Sequence, residues 1–273
     1  MRLRDSIPEI NRFAIVSAAI MLAFALTQLI SFPARMLVFS VMGIQWDFTL
    51  DFNTVVTLLT AALAAVGMDW LILSHPDKDL YQSRWAYLRH WIMPVLTSLV
   101  IGIALNAFSG DPLWWLVFLL GSLLLMAVFV AEYNVVPSED IRHPLARIGL
   151  TGLSFALFLL LVIALYSANL RLYMRLPIIG LGALMVVSRA INLRIGEWAL
   201  LWSLINSLIL AEIAVGFHYL PLPPIRIGLY LVGIAYGLTS LVTAFKEGRR
   251  RWAFWGEPAV MLAVVLILSL IWG

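Results

Sequence analysis

The run PLWWLVFLLGSLLLMAVFVA, Pro112–Ala131, continues for 20 residues without a charged side chain. A hydrocarbon core about 30 Å thick is crossed by about 20 helical residues, so this stretch reads as one complete span. Eight further apolar runs flank it: roughly Phe13–Pro33, Phe52–Ser74, Trp91–Phe108, Ile148–Ser167, Leu176–Ser188, Trp198–Leu220, Ile227–Phe245 and Pro258–Trp272. Lipid offers backbone amides and carbonyls no partner, so each run must be helical or lie within a helical bundle. Together the runs take up about 180 residues at that span length. About 90 residues are left for loops and tails, and no loop has room for a folded soluble domain. Composition agrees: 63% of the 273 residues are hydrophobic, 12% are charged, and mean hydropathy is +0.98. Soluble domains run at about 45–50% apolar and about 25% charged, which excludes a water-soluble globule. The expected fold class is all-α: an integral membrane bundle of about nine helices forming a single transmembrane domain over residues 1–273.

Orientation follows from the basic residues. With the N-terminus placed in the cytoplasm, 14 of the 18 Lys and Arg fall in cytoplasmic segments, and only Arg35, Arg171, Arg175 and Arg226 fall outside. A helix missed or invented in mid-chain would invert the later loops and destroy this asymmetry. The C-terminus is therefore expected outside. The first run is too long for a signal-peptide core and no small-x-small pattern follows it, so it reads as a retained helix. Short loops suit a bacterial or archaeal cytoplasmic membrane. The formal charge of +3 does not mark a nucleic-acid binder, because the basic residues cap apolar runs instead of forming one face.

Four shorter features qualify this outline. Met36–Trp46 is apolar yet too short to cross again, so it is expected in the outer interface or as a re-entrant stretch. Arg249, Arg250 and Arg251 precede Trp252, Phe254 and Trp255, a pairing that suits anionic lipid headgroups or a plain positive-inside stop signal with an aromatic belt. Gly233 and Gly237 have the spacing that lets helices approach closely, with the Ala-rich second run, residues 60–67, as the expected partner. Many of the 11 tryptophans, including Trp91, Trp114, Trp115 and Trp198, stand at run ends, where interface anchoring accounts for them.

Chemistry must come from the few polar residues within the runs, since a mid-helix charge costs about 2.5–3.5 kcal/mol on the insertion scale. On the outer side, Glu212 follows Glu197 by 15 residues, about 22 Å of helix. Tyr230 and Arg226 could reach its depth from the next span. It reads either as a proton-carrying carboxylate of a transporter or as a structural glutamate, protonated or paired with Arg226. On the cytoplasmic side, only 13 residues separate Arg175 from Arg189, about 20 Å of helix. Either an arginine snorkels or the helix continues with Arg189 inside the membrane, at the depth of Asp69 and Glu132. Arg189 is expected to pair with one or both acids, as a buried clasp or as part of a cytoplasm-facing site. Gly180 and Gly182 would allow a broken helix there.

Enzyme signatures are sparse. The chain has no HExxH, GxSxG or Walker sequence, and its four histidines lack ligand spacing. Cysteine is absent, which removes disulfides and thiolate sites. Neither lysine lies within a run, which excludes a retinal Schiff base of the rhodopsin kind. No cofactor, metal or catalytic residue is expected. The leading reading is a protein of the cell membrane that binds or transports a small molecule or lipid through a polar pocket between helices. One alternative is an enzyme acting on a lipid-linked substrate, with Asp69 or Glu132 as base or divalent-metal ligand and Arg84, Arg89 and Arg147 on a phosphate. Another is a structural subunit of a membrane complex. The expected partners are the bilayer and its anionic lipids, not nucleic acid. A cytoplasm-only reporter fused after Gly273 should stay silent; activity there would overturn the nine-span topology.

Overall fold

The computed structural model describes residues 8–30, 33, 35–41, 44–75, 87–136, 143–168, 170–248 and 251–271. They form two compact units, Met1–Asp140 and Ile141–Gly273. The first contains α1 (Ile10–Leu29), β1 (Arg35–Val41), β2 (Ile44–Leu50), α2 (Phe52–Ile72), α3 (Leu88–Ala107) and α4 (Leu113–Asn134). The second contains α5 (His143–Ser167), α6 (Leu172–Ile195), α7 (Leu200–His218), α8 (Pro224–Lys246) and α9 (Arg251–Ile271). The helices α1 to α8 are long and apolar enough to cross a membrane, so the protein is a polytopic helical membrane bundle. In α9 the apolar stretch is Trp255–Ser269, shorter than the others.

In the first unit α2 packs on α1 and α3, and α4 closes against α3 and α1. Small residues set the contacts: a Cβ on Gly67 would collide with Val16, and one on Gly102 with Thr57. Asp51 accepts a hydrogen bond from the Thr54 amide at 2.8 Å, which caps α2 directly after β2. Outward-facing Trp115, Leu116, Leu119, Leu120 and Leu123 on α4 are each more than half exposed. Such a stripe would be an aggregation hazard in water, and it is the expected lipid face of a span.

Several expectations change. The strands β1 and β2 pair antiparallel, with Arg35 opposite Leu50 and Val41 opposite Ile44. The pairing satisfies the backbone of a segment too short to cross as a helix, and its place in the outer interface or as a re-entrant stretch stays an expectation. The sixth helix is far longer than its 13-residue apolar core. It runs 24 residues, unbroken at Gly180 and Gly182, and carries Arg175 and Arg189 inside it. It stops at Gly196, whose φ of 82° suits a residue without a side chain. Gly233 and Gly237 face Val265 and Pro258 of α9; the Ala-rich α2 belongs to the other unit, so its pairing with these glycines stays an expectation. Trp114 is no interface anchor: it is buried and stacks on Phe118 with centroids 5.2 Å apart.

Two glycines one residue apart on α6 face opposite prospects. A Cβ on Gly182 would lie 2.5 Å from Leu161 Cδ2, whereas one on Gly180 would meet only Ala211 at 4.0 Å. Gly182→Leu should destabilise by about 1–3 kcal/mol through overpacking. Gly180→Ala should be neutral or stabilising by up to about 1 kcal/mol through backbone entropy. Thermal unfolding in detergent checks this; equal effects of the two would contradict the packing.

Candidate functional site

Polar side chains in the first unit gather at the end of the helices that the charge asymmetry assigns to the cytoplasm. Glu132, in the last turn of α4, has no exposure at all, and His90 in the first turn of α3 is equally deep. His90 Nδ1 lies 2.8 Å from Glu132 Oε2, the geometry of an N–H donating to a carboxylate. His75, just past α2, sets its ring 4.5 Å from that of Tyr133. Asp69 is half-buried on α2 and makes no hydrogen bond or ion pair among the described residues. The acid at Glu132 was visible in the sequence, but its histidine partner was not. His90 stands one residue ahead of its apolar run and reads as a loop residue, whereas α3 begins at Leu88 and draws it inside.

In the second unit Arg189 is buried and donates to Asn192 Oδ1 at 3.0 Å, one turn along its own helix. Asp69 and Glu132 belong to the other unit, so their pairing with Arg189 stays an expectation. At the opposite end of α6, Arg175 is buried as well. It donates to the Leu170 carbonyl at 3.0 Å, lies 3.0 Å from His218 Nδ1, and sits 4.3 Å over the Tyr166 ring. A carbonyl, a ring face and an imidazole thus take the place of a carboxylate. Glu212 is exposed on α7, and no hydrogen bond or ion pair joins it to Arg226 or Tyr230 among the described residues. Tyr230 turns instead toward α9, with its hydroxyl 3.0 Å from Ser269 Oγ. Residues 249 and 250 lie outside the described residues, as does the side chain of Arg251, so the anionic-lipid contact is not placed.

The second unit also holds a cavity of about 400 Å³ between α5, α6 and α8. Its polar lining is Arg147, Thr151, Arg194, Tyr236, Thr239 and Ser240, set beside Phe155 and Leu193. Arg194 is fixed by a two-pronged contact to Glu257, at 2.9 and 2.8 Å, and by Glu247 Oε1 at 3.3 Å from its Nε. The Tyr236 hydroxyl donates to Glu257 Oε1 at 2.7 Å. This fork binds α6, α8 and α9 together and forms one wall of the cavity. Nearby, Lys246 bonds Glu197 at 2.8 Å, and its hydrogen bond and charge hold the Glu197 carboxyl below the ordinary carboxylate range. Of the three arginines expected on a phosphate, Arg147 lines the cavity, Arg89 belongs to the other unit, and Arg84 lies outside the described residues. Arg194 lies at the end of α6 and Glu257 in α9, and nothing in their sequence spacing shows that α9 folds back on α8.

No cluster of three or more metal-ligating side chains occurs among the described residues. Residues 32–272 match the DUF5656 family, described as a protein of unknown function, and the chain belongs to that family. No curated protein and no solved structure matches it.

The fork should behave as a coupled unit. A double-mutant cycle of Arg194→Gln and Glu257→Gln should give a coupling of about 0.5–3 kcal/mol in thermal unfolding. Additive single losses would show that the contact holds nothing together.

Proposed function

We propose that this member of the DUF5656 family is a multi-pass protein of the cytoplasmic membrane, with α9 as its ninth span, that binds or carries a small molecule or lipid in the cavity of its second unit. The observation that carries this reading is the cavity itself, a mostly apolar space with a few polar groups on its wall, among helices whose outer faces are apolar. Arg194 cannot collapse into the space, because two carboxylates and the geometry of a two-pronged bond hold it to the wall. Access is supported by α5. Gly149 and Gly152 lie one turn apart, and a Cβ on either would meet nothing within 4 Å. The helix α5 therefore carries no side chain at these two positions, of which Gly152 lines the space. A lipid or amphiphile could enter sideways from the bilayer over such a strip, as ligands enter between the helices of other bundles.

Filling the space tests the reading. The wild-type chain, purified in mild detergent, should carry a bound molecule visible by native mass spectrometry. Gly152→Trp, which places an indole in open space, should lose that mass while unfolding at a similar temperature. Identical adducts on the two proteins would sink the proposal.

A further inference from the structure

We infer that the occupant of this cavity presents a phosphate-like anion to Arg147 and Ser240; the inference rests on the binding reading above and names the class of ligand. Most polar groups around the space are already engaged. The Thr151 hydroxyl donates to the Arg147 carbonyl at 2.8 Å and that of Thr239 to the Ala235 carbonyl at 2.7 Å. The Tyr236 hydroxyl is taken by Glu257, and the charge of Arg194 is met by Glu257 and Glu247. Two donors remain. Arg147 Nε is buried without a hydrogen-bond partner, and no carboxylate pairs with this arginine among the described residues. Ser240 is 2% exposed, and its hydroxyl stands beside the Glu257 carboxylate without hydrogen-bond geometry to it or to any other group among the described residues.

Among the described residues the lining is thus balanced except for one cation and one hydroxyl donor. A neutral occupant would leave Arg147 uncompensated against Ile148, Phe155 and Leu193, and a cationic one would be repelled. An anion with several acceptor oxygens satisfies both donors, and a phosphate monoester or diester has them. Depth points the same way. Arg147 lies four residues into α5, about 6 Å along it, and Arg194 is one residue from the end of α6. That is the level of lipid headgroups, although a free phosphate entering from the aqueous side would meet the same two donors.

The full chain in neutral detergent would be titrated with dioctanoyl phosphatidic acid, with inorganic phosphate against chloride at constant ionic strength, and with dioctanoylglycerol. Tryptophan fluorescence and thermal unfolding would be read. Saturable binding of phosphatidic acid, weakened about tenfold or more in Arg147→Gln and less in Arg147→Lys and Ser240→Ala, is the expected result. Equal binding of inorganic phosphate with the same dependence on these residues would identify a free anion as sufficient; phosphatidic acid alone would identify a lipid headgroup. If Arg147→Gln fails to fold, the Lys and Ser240→Ala variants carry the test. Dioctanoylglycerol binding as tightly as phosphatidic acid, or phosphate probes failing while Gly152→Trp still loses a native adduct, would overturn the anion and leave the pocket. Failure of all three probes, with adducts unchanged in Gly152→Trp, would overturn both.

Discussion

Hydrocarbon supplies no hydrogen bonds, and that constraint decides where every polar atom of this chain can go. The backbone answers it with helices, eight of them long enough to span, and with two paired strands where the chain between α1 and α2 is too short to cross again as a helix. Side chains answer it one at a time. Glu132 takes a histidine, Arg189 takes an asparagine one turn away, and Arg194 takes two glutamates. The bonds of Glu132 and Arg194 each tie two or three helices together, and the Arg189–Asn192 bond runs along α6.

Arg175 shows how far this goes without a carboxylate. Its guanidinium is planar and weakly hydrated, so it can lie over Tyr166 while its edges reach a carbonyl and an imidazole. A lysine ammonium, a compact and strongly hydrated point charge, could not make this set of contacts. The contact to His218 requires a ring nitrogen free to accept, which links the start of α6 to the end of α7 through the neutral imidazole. The Tyr166 phenol is in turn fixed by donating to the Ala214 carbonyl at 2.7 Å.

The runs themselves were legible because a 20-residue apolar stretch has few alternatives, and the burial of Glu132 and Arg189 followed from their place within or beside such runs. Three things were hidden. The apolar run alone did not show where the sixth helix ends: of the two readings, snorkelling or continuation past Arg189, α6 takes the second and also extends beyond Arg175. Partners far apart in sequence, such as His90 with Glu132 or Arg194 with Glu257, depend on which helices are neighbours, and apolar periodicity in lipid says little about that. The strand pairing was hidden because the length of the apolar stretch Met36–Trp46 rules out a further span without choosing between helix and strand.

Glycine does two opposite jobs here, and the difference is what makes a cavity possible. Lipid tails are as apolar as leucine, so helices gain little from hiding apolar surface and associate through close van der Waals contact instead. Gly67, Gly102, Gly182 and Gly233 provide that contact, each with a neighbouring side chain lying where a Cβ would stand. Gly149 and Gly152 have no such neighbour. A glycine with nothing against it loses helix propensity, about 0.8–1.0 kcal/mol relative to alanine, and gains no packing in return. Two such residues on one face of α5, with a cavity beside the second, are better explained by space kept open than by packing, since alanine at either position would fit and would stabilise the helix.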